Sequence, residues 1–456
     1  MLTMKNSKQD GRMNMKTKTA AECIDCEGMI RTLCECISIK SVKAPPEKGM
    51  PYGRGVYEAL DYILKTAENM GFTTKNIDGH AGYVEYGEGE EMVAVLGHVD
   101  VVPAGNGWNT DPFTGIDDGV KITGRGALDD KGPVVAALYA LKAIKESGKE
   151  TQRRIRLIIG ADEESGSSDM KRYRETEALP VYAFTPDAYF PVINSEKGMV
   201  VFKIEKKLRA DDENRLVSAS GGLAVNQVPD KAEMTVSIKG KTVSIRNSNG
   251  RSAHGSTPEM GINAIDDILK NASKSAGYGG YPKELREFTE FYLEYMYGDT
   301  RGVKLGADYS DEILGDVTFN TGILSGDESG ISFLVDYRYP ANTDCEPYLK
   351  KIEDICASKG MDFSVIKHKK GLYFPQNHEL VKVLTDVYAE ETGLRQKPKS
   401  MGGGTYAKSL PNTVAFGPLF PGREDTMHQA NEYIIREDLF AAGRIYAEAM
   451  ARLAEL

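Results

Sequence analysis

Residues 92–100, Met-Val-Ala-Val-Leu-Gly-His-Val-Asp, decide the fold, because a short apolar run passes directly into polar residues. The run at 92–96 has the length and composition of a buried strand. A second segment typical of a strand, 154–159, is followed by acidic residues, and a segment typical of a helix, 133–145, lies between the two strands. This strand–helix–strand order predicts an α/β fold with a mainly parallel central sheet flanked by helices, and a functional site at the carboxyl ends of the strands.

The character of the sequence changes twice further along the chain, which predicts a second domain inserted into the first. Short alternating strands with intervening helices follow residue 195, and the helix–strand order of the first part returns at residue 371. We therefore expect one domain from residues 21–195 and 371–456, and an inserted α+β domain from residues 196–370. Residues 1–20 are polar and rich in Lys, which indicates a disordered extension.

The composition argues against several classes of protein. The chain has 456 residues and a formal net charge of −10, which is unfavourable for binding nucleic acid or an anionic membrane. Its apolar runs are too short to cross a membrane, and the first residues lack the apolar core of a secretory signal. We therefore expect a cytoplasmic protein that is long enough to form two domains.

The cysteines near the amino terminus allow two interpretations. They could hold zinc or an iron–sulfur cluster, or they could be small apolar residues of one helix over 21–38. Their spacing matches no standard zinc motif, which favours the helix. The residues concerned are Cys23, Cys26, Cys34 and Cys36.

Residues with metal-binding chemistry follow the first predicted strand. His98 and Asp100 are two residues apart, so an extended chain places them on one side, where Asp100 can accept from the His98 ring nitrogen that faces away from a metal. Asp129 lies in a glycine-bounded loop just before the predicted helix. Its carboxylate could bridge two ions, or it could simply cap the helix.

An acidic pair, Glu163 and Glu164, follows the strand at 154–159. Adjacent side chains diverge, so one can bind a metal ion while the other reaches the attacking water as a general base. A Glu-Glu pair is often part of a solvated surface, but the apolar strand before this pair favours a loop at the edge of the sheet. Asp187 and His428 lie in segments that would not be singled out in isolation.

Taken in order, these segments closely resemble the dinuclear metallopeptidase family that includes carboxypeptidase G, acetylornithine deacetylase, succinyl-diaminopimelate desuccinylase, aminoacylase and carnosinase. The similar region runs from Gly97-His-Val-Asp-Val-Val-Pro103 to Met427-His-Gln-Ala-Asn-Glu432. The resemblance implies two divalent metal ions, with zinc as the expected ion and manganese or cobalt as alternatives. It implies that Asp129 bridges the ions, and that the other ligands are His98 and Asp187 at one ion and Glu164 and His428 at the other.

The resemblance also implies roles for residues around the ions. Glu163 would be the general base, Asp100 would orient His98, and the bond between Asp129 and Asp130 would be a cis peptide. His254, in the segment Ser-Ala-His-Gly-Ser-Thr-Pro at 252–258, would stabilise the oxyanion of the tetrahedral intermediate. An ordinary core or surface histidine is the alternative for His254.

Within this family, several segments are most similar to the PepV-type bacterial dipeptidases. They are 186–191, 226–229, 336–340 and 402–406. By this resemblance, residues 21–195 and 371–456 form the catalytic domain, and 196–370 form a lid whose length implies a monomer. The residues that would contact the substrate are Asn226, Arg338 and the backbone N–H groups of Gly402, Gly403 and Gly404, although Arg338 could instead be a structural cation at a strand end.

The sequence therefore predicts a metal-dependent dipeptidase that acts on small, unblocked dipeptides, using a water held between the two ions. One alternative is an N-acyl amino acid deacylase of the same family, acting on acetyl or succinyl groups. A second alternative is a catalytically inactive binding protein that keeps the fold. The presence of all the candidate ligands together with Glu163 argues against the second alternative.

Overall fold

The computed structural model describes residues 19–209, 213–312 and 314–456. Most of the predicted extension, 1–20, lies outside these residues. Within the described part, no helix is long and apolar enough to span a bilayer.

The helix predicted at 133–145 is present and extends two residues further at each end. The α-helices are α1 Cys26–Ser38, α2 Arg54–Asn69, α3 Lys131–Ser147, α4 Ser168–Thr176, α5 Ala264–Lys274, α6 Lys283–Tyr295, α7 Glu346–Ser358, α8 Glu379–Thr392 and α9 Arg436–Leu453. Short 3-10 helices are formed by Ala20–Cys23, Pro258–Met260, Tyr278–Gly280 and Tyr406–Lys408.

The prediction of one continuous helix over 21–38 is wrong. The 3-10 helix Ala20–Cys23 comes first, and α1 begins only at Cys26. The break has a local cause, because the Asp25 side chain accepts the backbone N–H of Gly28 and so caps a new helix.

The strands fall into sheets that belong to two compact units. In chain order they are β1 Thr73–Ile77, β2 Ala81–Tyr86, β3 Met92–His98, β4 Ile116–Asp117, β5 Lys121–Thr123, β6 Arg154–Gly160, β7 Tyr182–Thr185, β8 Ala188–Tyr189, β9 Ile193–Glu196, β10 Gly198–Lys207, β11 Arg215–Gly221, β12 Ala232–Ile238, β13 Lys241–Arg246, β14 Ser310–Asp311, β15 Gly315–Asp316, β16 Thr318–Gly326, β17 Gly330–Tyr339, β18 Asp362–Lys369, β19 Leu372–Tyr373, β20 Lys399–Met401, β21 Thr413–Ala415, β22 Pro418–Leu419 and β23 Tyr433–Ile435.

The first unit comprises the chain up to Val192, together with Lys382–Lys397 and Ser409–Leu456. Its sheet has the order β1-β2-β6-β3-β7-β21, and the neighbours from β6 to β21 are parallel. The edge strands β1 and β2 are antiparallel, because the three residues between them allow only a hairpin. The sheet is therefore mixed, with a parallel centre.

The centre of this sheet is buried on both faces. Every residue of β3 is buried, and both α3 and α9 contact that strand. Burial on both faces explains why β3 is a continuous apolar run rather than an alternating pattern. The parallel strands β6, β3 and β7 lie side by side, so their carboxyl ends meet at one edge.

The second unit comprises Ile193–Val381 and Pro398–Lys408. Its main sheet, β13-β12-β11-β16-β17-β10-β18, is antiparallel throughout and is contacted by α5, α6 and α7. A single apolar core joins sheet and helices, with the Phe288 and Phe333 rings stacked 4.2 Å apart between centroids. The segment Pro398–Lys408 groups with this unit because β20 pairs with β9, whereas the sequence assigned it to the first domain.

Candidate metal centre

Two groups of side chains in the first unit have the donor atoms of a metal site. One group contains His98, Glu163 and Asp187, and the donor atoms of its members all lie within 4.8 Å of one another. The other contains Asp129, Glu164 and His428, whose donor atoms also all lie within 4.8 Å of one another. The structure thus brings together every metal ligand that the sequence resemblance implied, with Glu163 beside them.

The sheet positions most of these residues. His98 is the last residue of β3, the pair Glu163 and Glu164 follows β6, and Asp187 follows β7. Because these strands are parallel neighbours, residues just beyond their carboxyl ends converge on one place. Asp129 reaches the same place from the loop before α3.

The carboxylate of Asp129 lies between the two groups. Its Oδ1 is 3.1 Å from Nε2 of His98, and its Oδ2 is 3.0 Å from Nε2 of His428. Nε2 of His428 is also 3.1 Å from Oε1 of Glu164. A carboxylate that turns one oxygen towards each group has the geometry of a ligand shared between two ions.

His428 comes from a sharply turned loop between β22 and β23. Its φ of 62° lies in the left-handed region, which non-glycine residues seldom adopt. Residues whose backbone is held in such conformations are concentrated at functional sites. The His428 side chain is the most accessible of the set, at 55% exposure, whereas that of His98 is 1% exposed.

The charges of the cluster fit cations. Burial, together with the neighbouring carboxylates of Glu164 and Asp100, raises the pKa of Glu163 to about 8. Burial likewise raises the pKa of Glu164 and of Asp187. Hydrogen bonds to Asp129 and Glu164 raise the pKa of His428 to about 11, because both carboxylates attract the imidazole. Imidazole and carboxylate groups are common ligands of divalent ions, and the buried carboxylates supply the negative charge that such ions neutralise.

Asp100 has a further contact that the sequence did not reveal. Nδ1 of His98 lies 2.9 Å from the backbone oxygen of Asp100 and 3.4 Å from its Oδ1, so both orient the ring. The carboxylate of Asp100 also accepts the backbone N–H groups of Glu163 and Glu164, at 3.2 and 3.1 Å. Asp100 therefore connects a candidate ligand with the acidic pair.

The sequence analysis assigned no side-chain role to two other buried acids. The carboxylate of Asp130 accepts the backbone N–H of His98 at 3.1 Å, and the peptide bond before Asp130 is cis. Glu432 is fully buried and accepts the backbone N–H of Asp129 at 3.0 Å. Both residues lie in the motifs already quoted, but spacing alone cannot show which distant backbone group a carboxylate will reach.

In the second unit, His254 is exposed and is held by its own loop. Its Nδ1 accepts the backbone N–H of Ser256 at 3.2 Å and lies 2.6 Å from the Ser256 hydroxyl. A neutral imidazole that accepts at Nδ1 carries its proton on Nε2, where it can donate a hydrogen bond. The backbone oxygen of Asn226 accepts the N–H of Gly255, which places Asn226 beside His254.

Arg338 is engaged within the second unit. Its Nε and Nη2 donate to the carboxylate of Asp336, and its Nη1 donates to the backbone oxygen of Gly402 at 2.6 Å. The side chain is 6% exposed. A Cβ on Gly402 would lie 2.9 Å from that of Ser256, so a side chain cannot be added there without a shift. Arg338 thus holds the glycine segment, and a contact with substrate stays a prediction.

Other cysteine and histidine residues do not extend the centre. Among the described residues, Cys23, Cys26, Cys34 and Cys36 belong to no group with metal-site spacing, and Cys36 is fully buried on α1. Cys345, Glu346 and His368 form a third group in the second unit. There the Tyr339 hydroxyl lies 2.7 Å from Nε2 of His368, so this ring nitrogen already has a hydrogen-bond partner.

Comparison with known proteins identifies the family. Residues 94–452 match the sequence model of a protein family that is described as "Peptidase family M20/M25/M40". The chain is similar to "Putative dipeptidase YtjP" of Bacillus subtilis (strain 168), with 38% identity over 94% of this chain and 98% of that protein. It is also similar to "Putative dipeptidase SH1171" of Staphylococcus haemolyticus (strain JCSC1435), with 35% identity over 91% of this chain and 95% of that protein.

Solved structures share the fold at low sequence identity. Human carnosine dipeptidase 1 has a TM-score of 0.58 at 16% identity and covers 96% of this chain and 98% of its own. Aminopeptidase PepT from Bacillus cereus ATCC 10987 has a TM-score of 0.59 at 16% identity and covers 95% of this chain and 100% of its own. With the family match, they show an α/β metallopeptidase architecture with an additional lid domain. This chain belongs to peptidase family M20/M25/M40 and is a hydrolase.

Proposed function

We propose that this protein is a metal-dependent dipeptidase that hydrolyses the peptide bond of small, unblocked dipeptides. The observation that carries the proposal is the position of the Asp129 carboxylate between Nε2 of His98 and Nε2 of His428. The names of the similar bacterial proteins support the choice of dipeptides as substrates.

Asp129 would be shared by two divalent ions. His98 and Asp187 would complete one site, and Glu164 and His428 the other. Ions bound there would polarise the scissile carbonyl and lower the pKa of the attacking water. Zinc suits the imidazole and carboxylate donors, and manganese and cobalt are alternatives for the same donor set.

Glu163 would take the proton from the attacking water and pass it to the leaving amine. It lies beside the ligands, and its backbone is fixed by Asp100. A carboxylate whose pKa is raised by burial is a stronger base than one in water, and it can then act as the acid for the amine.

Residues of the second unit would bind the substrate. With Nδ1 accepting from Ser256, a neutral His254 would carry its proton on Nε2 and would donate to the developing oxyanion. Asn226 lies beside it, and Arg338 fixes the segment of Gly402, Gly403 and Gly404, whose N–H groups would face the substrate carboxylate. Arg338 itself would also contact the substrate, as predicted from the sequence.

An N-acyl amino acid deacylase would use the same ligands, so the substrate decides between the two functions. The test is a panel of free dipeptides beside the matching N-acetyl and N-succinyl amino acids, each assayed with Zn²⁺, Mn²⁺ and Co²⁺. We expect kcat/KM to be highest for free dipeptides with at least one ion. A higher kcat/KM for the acylated amino acids would replace the dipeptidase by the deacylase.

A further inference from the structure

We propose that Glu432 and Arg125 form a buried ion pair whose role is to position Asp129 and His428, and that this pair thereby sets the affinity of the metal centre. The inference rests on the proposed function, because it takes Asp129 and His428 as ligands. It adds positioning residues that lie behind the ligands and would contact neither the substrate nor the ions.

The Glu432 carboxylate is bound by the loop that carries Asp129. The residue is 0% exposed, and it lies on the same short loop as His428, just before β23. Its Oε1 accepts three backbone N–H groups, from Gly126 at 3.1 Å, Leu128 at 2.9 Å and Asp129 at 3.0 Å. The backbone oxygen of Glu432 in turn accepts the N–H of Gly124 at 2.9 Å. One residue therefore connects the His428 loop with almost the whole Asp129 loop.

Arg125 holds the second oxygen of this carboxylate. Its Nη1 donates to Oε2 of Glu432 at 2.6 Å, and its side chain is 1% exposed. Its Nη2 donates to the backbone oxygen of Ala104 at 3.3 Å, and the guanidinium lies 5.3 Å from the centroid of the Trp108 ring. Trp108 donates from Nε1 to the same oxygen of Ala104 at 2.7 Å. The ion pair thus also reaches the segment that follows His98 and β3.

The chemistry of this arrangement requires a carboxylate. An ionised carboxylate only accepts hydrogen bonds, so it can face several N–H groups and a guanidinium at once. An amide in its place would turn an NH₂ group towards either Arg125 or the N–H groups of the Asp129 loop. The loss of one partner from a buried ion pair also leaves an uncompensated charge, which is strongly destabilising, and we expect the surrounding loops to shift in response.

A displacement here would act directly on the proposed ligands. The N–H of Asp129 is one of the groups bound by Glu432, and the Asp129 carboxylate is the one shared between the two groups. Loss of the groups that orient metal ligands typically weakens metal binding by about 10- to 100-fold. The ion at Asp129, Glu164 and His428 would be affected most, since both loops contribute to it.

A second ion pair in the same unit provides a matched control. Arg156 is 3% exposed, and it binds Glu85 through Nε at 2.8 Å and Nη2 at 2.6 Å. Glu85 belongs to neither group of candidate ligands. Glu85 is less buried than Glu432 and also binds Arg154. Glu85→Gln therefore removes a carboxylate that binds a buried arginine without touching the Asp129 or His428 loops.

The experiment measures metal binding, not activity. Metal-free wild type, Glu432→Gln, Arg125→Lys and Glu85→Gln are titrated with Zn²⁺ by calorimetry and with Co²⁺ by its visible absorption, and their thermal unfolding is recorded. We expect Glu432→Gln and Arg125→Lys to raise the Kd of at least one of the two ions by about 10-fold or more and to change the Co²⁺ spectrum. We expect Glu85→Gln to lower Tm while its Kd stays within about twofold of wild type.

Each outcome is decisive. Metal affinities of Glu432→Gln within about twofold of wild type would overturn the positioning role and leave the proposed function intact. If Glu432→Gln does not fold, Arg125→Lys decides by the same criterion, because Lys cannot reproduce the guanidinium contacts. An equal loss of affinity in Glu85→Gln would also overturn it, since general destabilisation would then suffice. Wild-type protein that binds no ion would overturn the proposed function as well.

Discussion

Nε2 of His428 lies 3.0 Å from Oδ2 of Asp129, although the two residues are far apart in the chain. The other oxygen of the same carboxylate lies 3.1 Å from Nε2 of His98. A single side chain therefore joins the two groups of candidate ligands. We therefore expect the loss of the Asp129 carboxylate to reduce metal binding more than the loss of any other candidate ligand.

Asp129→Ala should bind less metal than Asp187→Ala. The first change removes a ligand from both proposed ions, whereas the second leaves the group of Asp129, Glu164 and His428 complete. The metal content of each protein after gel filtration checks this prediction by elemental analysis. Two equivalents of metal retained in Asp129→Ala would show that this residue does not bridge.

Glu163→Gln should keep both ions but lose turnover. The amide has the shape of the carboxylate but cannot take a proton, and loss of a general base typically costs about 10²- to 10⁴-fold in rate. The measurements are kcat with a dipeptide and metal content, made on the same preparation. A kcat within about tenfold of wild type would assign the base to another residue.

Asp100→Asn should lower kcat, while its effect on the free energy of unfolding should be small. The carboxylate accepts the N–H groups of both Glu163 and Glu164, and an amide can offer an oxygen to only one of them. We expect a loss of about 10-fold or more in kcat or metal affinity, as for other groups that orient ligands.

Asp118→Asn is the control for Asp100→Asn. Asp118 also accepts two backbone N–H groups, those of Val120 and Lys121, but in an exposed turn between β4 and β5. Its substitution should leave kcat and metal content unchanged. Equal effects of the two substitutions would mean that Asp100 has only a local structural role.

The strands and their ends were predictable from the sequence because both follow from local patterns. The apolar run before His98 and the one before Glu163 predict buried strands, and parallel order brings their ends together. The antiparallel β1–β2 edge was not expected, because it depends on a short turn at Asp78 and Gly79, both with positive φ. Boundaries set by side-chain caps, such as the one at Asp25, were also missed.

The candidate site was predictable as a set of residues but not as a network. Residue type and motif order single out the candidate ligands, but they cannot show that Asp100 accepts from the acidic pair or that Arg338 donates to Gly402. Such contacts join segments that are distant in the chain, and the sequence alone does not specify their pairing. The same reason explains why Glu432 was passed over, although it lies four residues after His428.

His254→Ala should mainly lower kcat, and Arg338→Ala should mainly raise KM. An oxyanion contact strengthens in the transition state, and its loss costs about 10²- to 10³-fold in kcat. Arg338 fixes the glycine segment proposed to bind the substrate carboxylate, so its loss affects ground and transition states alike. Steady-state kinetics on both variants, with circular dichroism as the control for folding, separate these effects.

A monomeric enzyme should show no complementation between inactive variants. If His254 serves the metal centre of its own chain, a mixture of Glu163→Gln and His254→Ala contains no complete site and stays inactive. Light scattering on the same mixture should give the mass of one chain. Substantial recovery of activity together with a dimer mass would show that His254 acts on the partner subunit.

The most direct test of the metal-dependent mechanism is the activity of metal-free protein during stepwise addition of Zn²⁺, Mn²⁺ or Co²⁺. Hydrolysis of a free dipeptide is followed at each step, together with the number of ions bound per chain. We predict that the metal-free protein stays folded and inactive, that two ions bind, and that activity follows their binding. Full activity in the metal-free protein, or saturation at a single ion per chain, would contradict the account.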